Sequence, residues 1–194
     1  MQAPKLVILG RDGILNRFRE DHVKEPAEWE PIPGALEAVA RLNHAGWHVV
    51  VATNQAGIGR GMIDMAAVNA VHLHMMKMLA AKGGRLDAVF FCPHTRDEHC
   101  DCRKPQPGMM RDIAQRYGAD LGQVPMVADT LRDLEAARAA GCPPHLLRTG
   151  RAGLVSEAEM AQWVAAVPGT LVHDDLGAFV SHLLQQELAA RFAV

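Results

Sequence analysis

Short apolar runs alternate along the chain with longer segments in which apolar residues recur at helical spacing. The run KLVIL at 5–9 lacks the two-residue alternation of a strand with one face in water, so it predicts a buried strand. Four more strands are predicted at HVVVAT (48–53), LDAVFF (86–91), VPMVAD (124–129) and HLLRTG (145–150).

The segments between these strands predict amphipathic helices. In PGALEAVARLNHAGW, apolar residues fall at 36, 39, 40 and 42, which is helical spacing. Further helices are predicted at 64–82, 108–117, 131–140 (ended by Gly141) and 176–188, the last after a tail segment GTLVHDD. Strands that alternate with helices predict an α/β fold with a doubly wound, mostly parallel sheet and helices on both faces. With no repeat, low-complexity stretch or linker, we expect one domain over 1–194.

Composition narrows the function classes. Of the 194 residues, 49% are hydrophobic and 22% charged, and the formal net charge is -2. No basic run suggests a nucleic acid or a membrane surface as partner. The apolar run near the N-terminus is too short for a signal peptide or a membrane span. The four cysteines are therefore expected to be reduced thiols of a cytoplasmic protein.

Polar motifs follow three of the predicted strands. These are GRDG (10–13), TNQAG (53–57) and ADTLRD (128–133). Ligands of such sheets bind beyond the carboxyl ends of the strands, so the three motifs predict one site. A hydroxyl at Thr53 could hydrogen-bond a phosphate, and a carboxylate at Asp129 could hold Mg²⁺. The plainer alternative for Asp129 is a helix N-cap.

The segment CPHTRDEHCDC (92–102) contains paired soft ligands at short spacing. Three thiolates and an imidazole, from Cys92, His94, Cys100 and Cys102, fit a tetrahedral zinc ion with no open position, which predicts a structural metal. Two alternatives stay open: a chance cluster of buried cysteines, and His99 in place of His94.

Two cations, Arg103 and Lys104, come directly after this segment. Lysine offers a compact charge for a phosphoryl oxygen, and arginine offers a planar fork for phosphate or sugar hydroxyls. The alternative is a solvated basic pair. The segment VHLHMMKM (71–78) carries histidines and methionines as well, but its spacing indicates a helix packed on the core rather than a copper site.

Taken together, the GRDG turn, Thr53, Asp129, CPH and CDCRKPQPGM resemble the haloacid dehalogenase-like (HAD-like) phosphatases. The closer similarity is to the D-glycero-D-manno-heptose 1,7-bisphosphate 7-phosphatases and their histidinol-phosphate phosphatase relatives, from Lys5 to about Gly150. The resemblance implies a cytoplasmic, monomeric hydrolase that removes the 7-phosphate with Mg²⁺, in precursor synthesis for lipopolysaccharide, and that carries a structural Zn²⁺.

The resemblance also implies residue roles. Asp12 would be the general acid and base, and its backbone carbonyl, with the Asp129 carboxylate, would hold Mg²⁺. Thr53 and Lys104 would stabilise the transferring phosphoryl group. The substrate-binding residues would be Asn16, Asn54, Arg103 and Lys104, and the zinc ligands Cys92, His94, Cys100 and Cys102.

One position departs from the family pattern: Gly10 stands where the family has its nucleophilic aspartate. Glycine has no side chain, so no aspartyl-phosphate can form there. We therefore expect severely impaired turnover in a chain that retains the rest of the phosphatase site. The alternatives are a histidinol-phosphate phosphatase and a non-catalytic phosphosugar-binding protein.

Overall fold

A computed structural model describes residues 4–192 of the chain. The strands are β1 (Leu6–Leu9), β2 (His48–Asn54), β3 (Ala88–Cys92), β4 (Met126–Ala128), β5 (Pro144–Leu147) and β6 (Leu171–His173). The α-helices are α1 (Ala35–His44), α2 (Ala56–Gly59), α3 (Met65–Ala81), α4 (Gly108–Tyr117), α5 (Leu131–Ala140), α6 (Glu157–Ala166) and α7 (Leu176–Phe192). Short 3-10 turns lie at Pro26–Glu28, Arg96–Glu98, Leu121–Gln123 and Ala152–Leu154.

All six strands form one parallel sheet in the order β3-β2-β1-β4-β5-β6. The strand β1 is central, paired with β2 on one side and β4 on the other. The strand order reverses at β1, so the carboxyl ends of β1, β2 and β4 border the crevice where such sheets bind ligands. The predicted α/β fold, with its parallel sheet, is confirmed.

The central strands are buried on both faces, which explains their continuously apolar sequence. In β1 and β2, alternate residues belong to opposite core clusters: Val7 and Val49 pack with helices α1, α3 and α7, and Ile8 and Val50 pack with α4 and α5. A third, smaller cluster lies between β4, β5, α5 and α6. Helices therefore cover both faces of the sheet, as predicted.

Helix ends follow their capping residues. Asp64 accepts a hydrogen bond from the N–H of Ala67 at the start of α3, and Gly141 ends α5 in the left-handed conformation. The sequence analysis did not predict helix α6, which begins after Ser156, whose side chain accepts a bond from the Glu159 N–H. Within the described residues, none of the helices has the length and apolar character needed to cross a membrane.

Candidate active site

A cavity of about 530 Å³ opens at the carboxyl ends of β1, β2 and β4. It brings together the three motifs that the sequence placed after these strands, and the residues that follow the Cys/His segment join them. Among its lining residues are Gly10, Asp12, Thr53, Asn54, Arg103, Lys104 and Asp129. The predicted convergence of these residues on one site is thus observed.

Gly10 follows β1 and is held by its N–H, which donates to the carbonyl of Val127 at 3.2 Å. A Cβ built on Gly10 would lie 3.1 Å from Cγ1 of Ile14, with its next neighbour at 3.8 Å. The backbone here is not in the left-handed conformation. The fold therefore does not require glycine at position 10, and a side chain needs only a small shift of Ile14.

Asp12 lies within a network of donors. Arg11 donates to both of its carboxylate oxygens, at 2.9 and 3.1 Å from Nη2, and Asn16 and Gln55 donate at 2.9 and 3.1 Å. Burial opposes ionisation of Asp12, but the Arg11 charge and these hydrogen bonds outweigh it and lower its pKa. The carboxyl group is thus held ionised and fixed in direction.

Asn16, which the sequence suggested as a substrate ligand, is completely buried behind Asp12. Its amide donates to Asp12 and to the carbonyl of Arg17, and it is not among the lining residues of the cavity. In this geometry Asn16 orients Asp12.

Arg11 and His72 extend this network into the core. Only 2% of Arg11 is exposed, and its Nη1 lies 3.2 Å from Nε2 of His72. Burial, then the Arg11 charge, lower the pKa of His72 to about 4, so the neutral imidazole accepts the hydrogen bond. The predicted packing of this helix on the core is confirmed, since Met75 and Leu79 are buried and Met78 is partly buried.

Thr53 is the penultimate residue of β2, and its hydroxyl is linked to the Asp12 carboxylate through Gln55. Gln55 Nε2 donates to Thr53 Oγ1 at 2.9 Å and to Asp12 Oδ2 at 3.1 Å. Because the Thr53 oxygen accepts from Gln55, its own proton is free for an acceptor in the cavity, such as a phosphoryl oxygen.

Asp129 follows β4 and is surrounded closely. Its Oδ2 accepts from the N–H of Arg151 at 2.9 Å. Cβ atoms built on Gly13 and Gly150 would lie 2.0 and 2.2 Å from that oxygen, and both glycines have positive φ. These two positions therefore require glycine. The N-cap alternative for Asp129 is wrong, since Thr130 caps α5.

The carboxyl of Asp129 does not ionise easily. Burial first, and then the neighbouring Asp133, raise its pKa to about 7. A buried carboxyl of this kind favours the neutral form unless a cation compensates its charge. Oxygen donors in this arrangement fit a hard divalent ion such as Mg²⁺.

Lys104 is buried rather than solvated, which excludes the plain alternative for this residue. Its Nζ lies 3.1 Å from Asp133 Oδ1 and donates to the carbonyl of Ala52 at 2.9 Å. Asn54 lines the cavity, but its amide group bonds the Lys104 main chain through both of its polar atoms, at 3.0 and 3.1 Å. Asn54 thus fixes the backbone that carries Lys104.

Arg103 lines the same cavity and donates to the carbonyl of His94 at 3.1 Å. Burial lowers the pKa of Arg103 most, followed by the positive charge of Arg132. Arg96 and Arg60 also lower this pKa, and Cys92 raises it. Several arginines therefore lie close to one another at the outer side of the cavity.

The four predicted zinc ligands converge. The ligand atoms of Cys92, His94, Cys100 and Cys102 all lie within 4.8 Å of one another. Sulfur–sulfur distances are 3.2, 3.5 and 3.6 Å, close to the ~3.8 Å of a tetrahedron with Zn–S bonds of about 2.3 Å. His94 Nδ1 lies 3.3 Å from the Cys102 sulfur, whereas His99 is exposed and outside this cluster. The donor set fits zinc.

Comparison with known proteins agrees with this geometry. A polynucleotide kinase 3 phosphatase model matches residues 12–129, and a HAD-hydrolase-like model matches 101–179. A D-glycero-beta-D-manno-heptose-1,7-bisphosphate 7-phosphatase of Bordetella bronchiseptica is 51% identical over 183 residues, covering 94% of this chain and 99% of that protein. The chain belongs to the HAD-like heptose-bisphosphate phosphatase family.

Other members of the heptose-bisphosphate phosphatase family support this assignment. The enzyme of Pseudomonas aeruginosa with the same name is 46% identical, over 93% of this chain and 98% of its own. The crystal structure of the B. bronchiseptica phosphatase, complexed with magnesium and phosphate, has a TM-score of 0.86 at 50% identity, covering 94% of this chain and 99% of that one. The structure from Burkholderia thailandensis has a TM-score of 0.69 at 49% identity, covering 93% and 98%.

Sequence reasoning missed the segment after β5. The hydroxyl of Thr149 donates to the carbonyl of Gly13 at 2.6 Å, and the N–H groups of Arg151 and Ala152 bond Asp129. The signal was present, because TGRAG begins in the last two residues of the predicted strand 145–150, whose end lies at the same edge of the sheet. Arg11, Gln55 and His72 gave weaker signals, since nothing in their spacing distinguishes them from core or loop residues.

Proposed function

We propose that this chain binds D-glycero-beta-D-manno-heptose 1,7-bisphosphate as the scaffold of a 7-phosphatase, with turnover severely impaired by Gly10. The observation that carries the proposal is the cavity itself, where Gly10 lies beside Asp12, Thr53, Lys104 and Asp129. Relatives at 46–51% identity are named for the beta anomer of this substrate.

The inner part of the cavity would take the phosphoryl group to be transferred. Thr53 offers a free hydroxyl proton and Lys104 a fixed ammonium group, both suited to equatorial phosphoryl oxygens. Mg²⁺, held by Asp129 and the backbone of Asp12, would neutralise phosphoryl charge when bound. The Cys/His cluster would hold Zn²⁺ and keep Arg103 in place.

Asp12 would handle the proton. Its contacts with Arg11 hold it ionised, in the form that accepts a proton from water. Protonation of the leaving sugar oxygen needs Asp12 to carry a proton, so the contact with Arg11 must loosen during a complete cycle. We assign Asn16 and Gln55 as positioning residues of Asp12.

The missing part is the group that attacks phosphorus. A carboxylate at position 10 would stand at the end of β1, facing the cavity. Without it no covalent phosphoryl-enzyme forms, and loss of a catalytic nucleophile costs on the order of 10⁴–10⁶ in turnover. The non-catalytic reading, in which the chain binds a phosphosugar without hydrolysing it, is favoured by the same observation.

We further propose that the chain acts as one domain over 1–194 in the cytoplasm. A single sheet runs from β1 to β6, which supports one domain, and none of the four cysteines forms a disulfide. Cysteines without disulfides suit a reducing compartment, where a substrate for precursor synthesis of cell-surface polysaccharide would be met.

The test is phosphate release from heptose 1,7-bisphosphate with Mg²⁺, comparing this chain with Gly10→Asp. We expect turnover by the variant alone, because the backbone at position 10 accepts a side chain. Equal rates in the two proteins would contradict the role of position 10. Histidinol phosphate serves as the second substrate, and faster hydrolysis of it by Gly10→Asp would replace heptose bisphosphate in the proposal.

A further inference from the structure

Behind the cavity, the side chain of Arg11 joins the candidate site to helix α3. The main chain of Arg11 is fixed, since its carbonyl accepts from the N–H of Leu15 at 2.8 Å. Its guanidinium group is held at both ends. Nε and Nη2 donate to the Asp12 carboxylate, and Nη1 lies 3.2 Å from Nε2 of His72.

His72 belongs to the buried face of α3 and is not among the residues that line the cavity. Only 6% of it is exposed, and its ring packs beside Phe91 of the edge strand β3, with ring centroids 6.0 Å apart. His74 on the same helix faces Trp29 instead, at 6.2 Å. The proposed chemistry leaves His72 without a role, although it contacts the side chain that orients Asp12.

His72 satisfies a charged donor that would otherwise be buried without an acceptor. In the part of the chain that the structure describes, Nη1 of Arg11 has no other hydrogen-bond partner. Burial first, and then the Arg11 charge, lower the pKa of His72 to about 4, so the ring is neutral and offers a lone pair at Nε2. A neutral acceptor holds Nη1 without competing with the charge of Asp12.

The two fixed ends determine the plane of the guanidinium group, and that plane determines how the Asp12 oxygens lie. In the proposed chemistry Asp12 is paired with Arg11 when ionised, and turns to the leaving sugar oxygen when it carries a proton. Because His72 holds Nη1, Arg11 stays in place when Asp12 turns away. Without that acceptor, the guanidinium group would follow the carboxylate and keep it ionised.

We propose that His72 is a positioning residue for the proton transfer by Asp12, and that it acts through Arg11. This inference rests on the proposed function, because it supposes that Asp12 protonates the leaving oxygen. In that step an attacking oxygen bonds to phosphorus, the bond from phosphorus to the sugar oxygen breaks, and the Asp12 proton passes to the departing oxygen. His72 itself takes no proton and touches no substrate.

The first test uses the unaltered chain and follows Arg11 directly. Nitrogen-15 NMR of arginine side chains detects guanidinium N–H groups that hydrogen bonds protect from exchange with water, and Arg11→Lys identifies the Arg11 signals. We expect the Nη1 signals to persist in His72→Gln, whose amide oxygen can accept from Nη1, and to be lost in His72→Leu, which has no acceptor. His74→Leu is the matched control on the same helix, and should keep them.

The second test measures turnover of heptose 1,7-bisphosphate in the Gly10→Asp background. His72→Leu should lower kcat by about 10-fold and change KM by less than about 2-fold, because the proton donor is disturbed and the substrate site is not. His72→Gln should retain at least about half of kcat, and His74→Leu should retain all of it. Thermal melts of each variant check that the fold is retained.

A substrate whose leaving group needs no proton separates positioning from a structural role. p-Nitrophenyl phosphate releases nitrophenolate without protonation. In the Gly10→Asp background, His72→Leu should therefore slow the burst of nitrophenolate by less than about 3-fold. A general loss of folded structure would slow both substrates equally.

Equal slowing of the two substrates in His72→Leu would overturn the inference and leave the proposed function standing. The same holds if His72→Gln loses as much kcat as His72→Leu, or if the Arg11 signals are unchanged in His72→Leu. If Gly10→Asp releases no phosphate from heptose 1,7-bisphosphate, the proposed function fails, and the inference fails with it.

Discussion

Two segments that border the candidate site differ in how many of the residues implied by the family resemblance they carry. The segment 92–102 has its four metal-ligand positions filled, and their ligand atoms lie within 4.8 Å of one another. The turn at 10–16 has Gly10 where the family resemblance implies a nucleophilic aspartate, and Asp12, Gly13 and Asn16 surround that position. On the proposed function, the first segment has all the groups it needs and the second lacks one.

The difference follows from what each residue contributes to folding. The four ligands of the Cys/His cluster hold a long loop in place, and through the His94 carbonyl they fix Arg103. Position 10 supports nothing: a Cβ there would contact Ile14 and little else. The fold therefore does not depend on a side chain at position 10, whereas we expect it to depend on the four side chains of the Cys/His cluster.

The largest expected effect is on turnover and concerns the turn at 10–16. Gly10→Asp should raise turnover by on the order of 10⁴–10⁶, whereas Gly10→Asn, of the same shape but not nucleophilic, should not. Single-turnover kinetics with acid quenching would detect the phosphorylated aspartate. Activity in Gly10→Asn would show that position 10 acts by shape or charge, which would break the comparison.

The next largest effect is on zinc binding and thermal stability, and concerns the Cys/His cluster in the segment 92–102. His94→Asn should weaken zinc binding by more than about 100-fold and lower the melting temperature, because a ligand is removed from a closed tetrahedral site. His99→Asn is the matched control, and should change neither quantity, since His99 is exposed and outside the cluster. Metal analysis and thermal melts measure both. A larger loss in His99→Asn would reverse the assignment.

A third prediction concerns which part of the molecule controls the loss of stability at low pH, the core around His145 or the Cys/His cluster. Burial first, and then His173 and His182, lower the pKa of His145 to about 4. The folded state thus favours neutral His145. As the pH falls from ~6.5 towards 4, the free energy of unfolding should decrease by about 3 kcal/mol. Urea unfolding at pH 7 and pH 5 would detect about 2 kcal/mol of this loss, because the remainder falls below pH 5.

The matched variant is His145→Phe, which keeps a ring against Phe179 and cannot take up a proton. We expect a shallower pH dependence in this variant, both with zinc and with a chelator. If the pH dependence disappears only when zinc is removed, then the Cys/His cluster, and not the core, controls acid unfolding.

The smallest effect is on the affinity for Mg²⁺ at Asp129 and its dependence on pH. Because the pKa of Asp129 is raised to about 7, Mg²⁺ must displace a proton at lower pH. The affinity for Mg²⁺ should rise about 10-fold from pH 6 to pH 8 and level off above. Calorimetry in buffers of different ionisation enthalpy counts the released proton. Asp129→Asn should bind weakly and without this dependence.

The sequence was sufficient for the parts of the fold that depend on local patterns. Continuous apolar runs predicted the buried strands, and Gly141 correctly marked the end of α5. Ligand spacing predicted the Cys/His cluster before any geometry was known. These features are encoded by neighbours in the chain, so periodicity and spacing reveal them.

What the sequence did not predict depends on contacts between distant residues. His72 lies on a helix that was predicted to pack on the core, yet its hydrogen bond with Arg11 joins residues 61 positions apart. The family resemblance implied a substrate contact for Asn54, whereas in the structure its amide bonds the Lys104 main chain. Such pairings arise only when the sheet brings several strand ends together.

The bonds from 149–152 to Asp129 and Gly13 have a consequence for the last quarter of the chain. A fragment that ends at Leu147 would retain every residue to which we assign a chemical role. It would lack the Arg151 N–H that donates to the Asp129 carboxylate, and the Ala152 N–H that donates to the Asp129 main-chain carbonyl. It would also lack the Thr149 hydroxyl that donates to the carbonyl of Gly13. The residues to which we assign chemical roles therefore all precede the segment that fixes their geometry, and we expect cleavage within 148–152 to disturb that geometry without removing any of them.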